Sequence, residues 1–266
     1  MKSLETIIKN LSQKPEVDAV FLTGSLGNET HTSDSDIDLI IILKENNLSI
    51  ESVFTWIDGV FADVYFFDQS NIKNLIEGKF ISSESDEISN KMNHLLYAWI
   101  KKGEIKFDHS GELTKLKSID KEFASISEEK KWNLWVNVNY NFEANTRYFN
   151  AKDTKYHEAL EMRLLYSVSQ VIGAYFDFVN EQWKGEKLAV TYFKENDMGF
   201  YNTFIKYTKA SNLSDRFTEY SNMVHRVFEL NPKYKLWNKD EVIPKSQGRG
   251  FEIDKQLVTF WDKLIS

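Results

Sequence analysis

The sequence contains no cysteine among its 266 residues. This absence excludes structural disulfides, thiol catalysis and metal centres held by cysteine. No stretch approaches the roughly 20 consecutive apolar residues of a transmembrane helix. The N-terminal residues also lack the apolar core and small-residue cleavage site of a signal peptide. We therefore expect a cytoplasmic protein with no membrane partner.

Basic residues are scarce where a protein that grips long nucleic acid would need them. Residues 1–110 contain 10 Lys and Arg against 18 Asp and Glu, a net charge of −8, whereas residues 111–266 carry 23 against 22. Neither part contains the dense basic cluster that contacts with phosphate backbones require. The charge distribution therefore disfavours nucleic acid as a partner and favours a small-molecule or metal-dependent site.

The spacing of apolar residues divides the chain into two regions with different hydrophobic periodicity. The first alternates short apolar strands with helices, and the second has apolar residues at helical spacing. The predicted strands are 18–23, 37–43 and 60–67, and the predicted helices are 2–11, 51–57, 71–77, 128–149, 156–179, 187–193, 201–209, 213–230 and 254–264. The pattern predicts an α+β fold, with a small mixed sheet and flanking helices over 1–112 and an all-helical bundle over 113–266.

One segment, residues 21–43, carries chemically informative residues at a regular spacing. A predicted strand runs into Gly24-Ser25, and ten residues later Asp36-Ile37-Asp38 opens the next strand. Residues two apart in a strand point to the same face, so Asp36 and Asp38 project together. Such paired carboxylates repel each other unless a cation lies between them. Ligation by oxygen alone favours Mg²⁺ or Mn²⁺ over zinc.

Two further features complete this pattern. Gly24 lets backbone N–H groups approach a phosphate closely, and the Ser25 hydroxyl adds a donor. Asp63 lies within the apolar predicted strand 60–67, where an unpartnered carboxylate is costly to bury. Asp and Ser are common in turns, so the interpretation depends on the whole combination rather than on Asp-x-Asp alone.

The combination resembles the signature of the nucleotidyltransferase superfamily built on the DNA polymerase β-like fold. Within it the chain looks most similar to bacterial aminoglycoside and lincosamide nucleotidyltransferases, which pair a catalytic domain with a helical bundle. The resemblance implies that Asp36, Asp38 and Asp63 are the catalytic and metal-binding residues. Asp63 matches the third carboxylate of the family, and its role as metal ligand, general base or both stays open.

The resemblance also implies a reaction. A substrate hydroxyl would attack the α-phosphorus of a nucleoside triphosphate, most often ATP, and pyrophosphate would leave. Mg²⁺ or Mn²⁺ would be the cofactor, and Gly24 and Ser25 would hold the β- and γ-phosphates. From the helical region, Lys187 is the candidate for a further phosphate contact, with a solvated surface lysine as the alternative.

The acceptor suggested by the resemblance is a small hydroxylated molecule such as an aminoglycoside or lincosamide. Two alternatives stay open: a toxin–antitoxin type enzyme that adenylylates a protein, and a nucleotide-binding module without turnover. The apolar stripe of the predicted helix 156–179 fits either a domain core or a homodimer interface.

Overall fold

A computed structural model describes residues 3–24, 35–78, 87–120, 127–183, 185–239, 241–244 and 252–265, with side chains of the third range described from residue 95. The chain divides into two compact units, Met1–Ala124 and Ser125–Ser266. None of the described helices has the length and apolarity needed to cross a membrane.

The N-terminal unit is built on a mixed five-stranded sheet. Its elements are α1 (Leu4–Ser12), β1 (Val17–Thr23), β2 (Ile37–Leu43), β3 (Ser52–Ile57), β4 (Val60–Asp68), α2 (Gln69–Glu77), α3 (Glu87–Lys102), β5 (Glu104–Asp108) and α4 (Glu112–Ser118). The strand order is β3-β4-β2-β1-β5. Strands β2 and β4 pair in parallel, whereas the other neighbours are antiparallel.

Both faces of the central strands are buried, which explains their nearly continuous apolar sequence. On one face, Leu39 and Ile41 pack in a cluster that includes the apolar side of α1. On the other face, Ile40 and Ile42 pack beneath α2, α3 and α4. Because successive side chains alternate between these layers, the two sets of apolar residues fix the facing of every other residue on β2.

The predicted helix at 51–57 is wrong, because this segment forms the edge strand β3. Asp58 and Gly59 both have positive φ, 54° and 83°, which is the backbone of a two-residue type I′ hairpin turn. The turn joins β3 to β4 and pairs Ile57 with Val60. The Asp-Gly pair that follows this segment is a strong hairpin signal, and it favours a strand over a helix here.

The C-terminal unit is helical in its described part. Its helices are α5 (Glu128–Phe149), α6 (Thr154–Phe178), α7 (Glu186–Asn196), α8 (Met198–Lys209), α9 (Leu213–Glu229) and α10 (Lys255–Ile265). The predicted α+β fold, a mixed sheet with flanking helices followed by a helical region, is confirmed. In α6 the residues Leu160, Leu164 and Val171 are buried, but Leu165, which the sequence places on the same stripe, is 78% exposed.

A single buried carboxylate connects three helices of this unit. Asp197 accepts hydrogen bonds from the Phe200 backbone N–H at the start of α8 (3.0 Å), from Arg226 Nε of α9 (3.0 Å) and from the Tyr175 hydroxyl of α6 (3.3 Å). Burial and this carboxylate raise the pKa of Tyr175 far above its usual value, so the phenol stays a donor. The charge of Asp197 is therefore paired and hydrogen-bonded, as a buried charge requires.

The hairpin turn gives a direct test of the corrected strand. We expect Gly59→Ala to lower the free energy of unfolding by about 1 kcal/mol, because alanine is strained at positive φ. Nothing lies within 4 Å of an added methyl group there, so backbone conformation alone carries the cost. Urea unfolding followed by circular dichroism measures the change.

The matched control is Gly173→Ala within α6, where an added methyl group also meets nothing within 4 Å. In that helical position alanine should instead stabilise the protein by roughly 0.5–1 kcal/mol. Equal effects of the two substitutions would contradict the assignment of a left-handed turn at Gly59.

Candidate active site

Four residues form a row across one end of the sheet. Thr23 at the end of β1 pairs with Asp38 on β2, Asp38 pairs with Asp63 on β4, and Asp63 pairs with Phe54 on β3. Directly paired residues on neighbouring strands point to the same face. The structure therefore brings two of the predicted carboxylates side by side on adjacent strands.

This row lies on the face covered by α2, α3 and α4, at the end where the helical cover stops. Along β4, Phe67 is buried in the core and Tyr65 is partly buried against the Trp99 ring of α3, with a centroid distance of 5.3 Å. Asp63 follows on the same face, and Phe61 beyond it is 42% exposed. The carboxylates thus occupy the transition from core to open surface.

Gly24 lies directly against the Asp38 carboxylate. Its φ is +65°, and a Cβ built on it would come within 1.9 Å of Asp38 Oδ2 and 3.0 Å of Asp38 Cγ. No side chain fits this space unless Asp38 moves. Glycine is therefore required here both by conformation and by the close approach of the carboxylate. Its neighbour Ser25, the other predicted phosphate-binding residue at this bend, lies outside the described residues.

Electrostatic effects show that the three carboxylates share one environment. The pKa of Asp63 is raised, first by burial and then by the negative charge of Asp36. The pKa of Tyr65 is also raised, first by burial and then by Asp63, Asp38 and Asp36 in that order. Asp36, which precedes β2, therefore lies close enough to act on the same groups as the two paired aspartates.

One carboxylate oxygen of the row has no hydrogen-bond donor among the described residues. Asp63 Oδ1 is buried and accepts no hydrogen bond from any of them. An orphaned oxygen of this kind costs stability unless something binds it. A divalent cation is a suitable partner, because it would also remove the repulsion among the carboxylates.

The residues fit a magnesium ion that takes some of its ligands from the protein and the others from a bound substrate. No group of three or more His, Cys, Asp or Glu side chains within the described ranges forms a metal-binding cluster by itself. Mg²⁺ does not need such a cluster, since it commonly takes one or two carboxylates together with water and phosphate oxygens. Asp38, Asp63 and the nearby Asp36 supply carboxylates of this type beside the Gly24 bend.

Lys187 lies elsewhere, in the C-terminal unit. It occupies the first turn of α7 and its side chain is exposed. Its contact with a nucleotide phosphate stays a prediction.

Sequence reasoning missed two residues of the row, Thr23 and Phe54, and one neighbour of the row, Tyr65. Thr23 is 3% exposed beside Asp38, Tyr65 faces the carboxylates, and Phe54 is the register partner of Asp63. For Phe54 the available signals were the β-branched and aromatic composition of residues 52–57 and the Asp58-Gly59 turn. Reading them as a hairpin places Phe54 opposite Asp63 from the sequence alone.

Comparisons with known proteins agree with this geometry. The family model described as "Polymerase beta, Nucleotidyltransferase" matches residues 5–105. This range contains all five strands except the last three residues of β5. The N-terminal unit is therefore a nucleotidyltransferase-like domain, and the match supports the superfamily that the sequence motif resembles.

More distant comparisons add little. A crystal structure of a nucleotidyltransferase-like protein from Exiguobacterium sibiricum 255-15 matches with 13% identity over 87% of this chain and 77% of that chain, with a TM-score of 0.42. No curated protein matches the chain significantly.

The contact between Gly24 and Asp38 predicts the effect of Gly24→Ala. The added methyl group must displace the Asp38 carboxylate, so we expect a loss of Mg²⁺-dependent nucleotide binding of about tenfold or more. Titration of a non-hydrolysable ATP analogue with MgCl₂, followed by calorimetry, measures this loss. Binding equal to that of the wild type would show that the position of Asp38 is unimportant.

The raised pKa of Asp63 predicts that this residue costs stability when no cation is present. Between the ordinary pKa of aspartate and the raised value, the folded state binds more protons than the unfolded state, so stability falls as the pH rises through this window. We therefore expect Asp63→Asn to raise the melting temperature at pH 7 by roughly 2–4 °C without metal. The gain should shrink as the pH is lowered toward 4. A gain that is absent at pH 7 would contradict an unfavourable charge at Asp63.

Proposed function

We propose that the protein transfers a nucleoside monophosphate, AMP from ATP in the first instance, to a hydroxyl group of a small molecule and releases pyrophosphate. The observation that carries the proposal is the registered pair Asp38–Asp63 beside Gly24 in a domain that matches the nucleotidyltransferase family. The domain match supports nucleotidyl transfer in general, and the residues of the row support the more specific roles below.

In the proposed reaction the acceptor hydroxyl oxygen forms a bond to the α-phosphorus, and the bond from that phosphorus to the bridging oxygen of pyrophosphate breaks. Asp63 takes the hydroxyl proton, a role favoured by its raised pKa and its unpartnered Oδ1. Asp36 and Asp38 hold the Mg²⁺ that accompanies the triphosphate. When bound, this cation neutralises the carboxylates and stabilises the charge on the attacking and leaving oxygens.

The phosphate groups belong at the β1 end of the row in this proposal. Gly24 offers close approach of backbone to ligand, and Ser25 supplies a hydroxyl donor. Lys187 is proposed to add a positive charge from the C-terminal unit, where its exposed side chain is available to a ligand. The chain's contribution is then largely positioning and charge compensation, as in other phosphate transfers.

The acceptor is proposed to be an antibiotic-like sugar compound of the aminoglycoside or lincosamide class. This part rests on the resemblance of the motif and of the two-part organisation to those enzymes. The test is incubation of the full chain with MgCl₂, each nucleoside triphosphate and a panel of these antibiotics. Pyrophosphate release together with an antibiotic product heavier by one nucleoside monophosphate is the expected result.

The same experiment separates the alternatives. Label that appears on added protein instead of on the antibiotic would favour the protein-adenylylating enzyme. Saturable nucleotide binding without pyrophosphate release under any condition would favour a binding module without turnover.

The carboxylates provide the decisive substitutions. We expect Asp36→Asn and Asp38→Asn to lower the rate of pyrophosphate release by about 100-fold or more. The far-ultraviolet circular dichroism spectrum should stay unchanged, because Asn has nearly the same shape as Asp.

Asp120→Asn is the matched control, since this carboxylate is 97% exposed and pairs with Lys101 on the surface of the same unit. Surface ion pairs contribute little to stability, so activity should be retained. Wild-type rates in either Asp36→Asn or Asp38→Asn would exclude the assigned role of that residue.

A further inference from the structure

The β3–β4 hairpin carries three large aromatic side chains on its surface. Phe54 is 60% exposed, Trp56 62% and Phe61 42%. We call these three residues the aromatic shelf. Clustered exposed aromatic residues commonly mark a binding site, whereas single exposed ones need no explanation.

The shelf has a defined shape. The Phe54 and Phe61 rings are nearly parallel, at 4° with centroids 6.5 Å apart. Trp56 meets Phe61 edge-on, at 73° and 5.5 Å. These contacts between neighbouring strands orient the rings before any ligand arrives, so binding would cost little ordering entropy.

The shelf lies on the same face as the candidate active site. Phe54 is the register partner of Asp63, and Trp56 is the partner of Phe61. Phe61 precedes Asp63 by two residues on β4, which places both side chains on one face. Strand β3 is at the edge of the sheet, so a ligand can reach these rings from the side.

The order of residues across the sheet gives the shelf a specific role. From β1 to β3 the row runs from Thr23, which Gly24 follows, to Asp38, then to Asp63, and ends at Phe54. In an in-line transfer, the leaving pyrophosphate and the attacking hydroxyl lie on opposite sides of the α-phosphorus. With the phosphates at the Gly24 end, the attacking hydroxyl comes from the end that carries the shelf.

We infer that the aromatic shelf is the acceptor subsite, and that it binds a hydroxylated sugar ring. The apolar face of such a ring stacks on Trp56 and its neighbours, while a hydroxyl on its edge reaches Asp63. This inference rests on the proposed function and specifies which part of the N-terminal unit holds the acceptor. Apolar walls with a few polar groups at one end are the usual composition of small-ligand sites.

Kinetics with Trp56→Ala test the inference. Lincomycin and kanamycin A serve as acceptors, with ATP and MgCl₂. We expect KM for the acceptor to rise about tenfold, the loss typical of one aromatic stacking contact. The values of kcat and of KM for ATP should stay within about twofold, and Trp56→Phe should restore most of the acceptor affinity.

Leu48→Ala is the matched control, because Leu48 is also exposed (88%) but lies between β2 and β3, at the end of the sheet opposite Asp63. This substitution should leave both KM values unchanged. Because Trp56 is exposed, Trp56→Ala should also keep the melting temperature of the wild type, which separates a binding effect from unfolding.

Direct binding provides a readout without turnover. Tryptophan fluorescence of the full chain is titrated with each sugar in the absence of ATP. Wild type and Leu48→Ala should show saturable changes that Trp56→Ala lacks.

Several outcomes would overturn the inference. If Trp56→Ala raises the KM for ATP alone, the shelf binds the nucleobase instead. If Trp56→Ala converts a dimer to a monomer and leaves the acceptor KM unchanged, the shelf is an interface between copies of the chain. Turnover with unchanged kinetics in Trp56→Ala would refute the shelf and leave the proposed function standing. Absence of turnover with every acceptor would refute the proposed function, and absence of sugar binding would then refute the shelf separately.

Discussion

Repulsion between carboxylates on adjacent strands is the constraint around which the N-terminal unit is arranged. Asp38 and Asp63 are register partners on β2 and β4, and after burial the negative charge of the nearby Asp36 raises the pKa of Asp63, because like charges held close together repel. A shift of one residue would relieve them, but it would also exchange the apolar residues of β2 between its two buried faces. Burial on both faces of the sheet therefore holds the charges together, and this is the arrangement that the proposed Mg²⁺ site requires.

Two unusual local features lie together at this end of the sheet. Gly24 has a left-handed backbone against the Asp38 carboxylate, and Asp63 Oδ1 is buried without a partner among the described residues. Asp197 in the C-terminal unit is by contrast a buried carboxylate with three hydrogen bonds. Glu112 Oε2 at the start of α4 is a second buried carboxylate oxygen without a partner among the described residues, so the distinctive feature of Asp63 is its place beside Asp36 and Asp38 rather than the missing hydrogen bond alone.

The central strands and the helices of the second unit could be predicted from the sequence because each has a strong apolar period. The spacing of Gly24, Asp36 and Asp38 likewise predicted that these residues lie close together, and the structure places them in one environment. The error at β3 arose because six residues support either period, and only the turn that follows decides between them. The proximity of Asp63 to Asp38 depends on parallel pairing of distant segments, which no local pattern reveals. The resemblance to a family supplied that information instead.

The two ends of the row differ in how they are connected to the rest of the unit. At one end of the row, Thr23 belongs to β1, which pairs with both β2 and β5. At the other end, β3 pairs only with β4 among the described strands and is joined to it by a two-residue turn. Exchange of the side chains on residues 52–57 would leave the alignment of Asp38 with Asp63 intact. Under the proposed function, grafting other hairpins onto this edge would be a route to altered acceptor preference with the alignment of Asp38 and Asp63 kept.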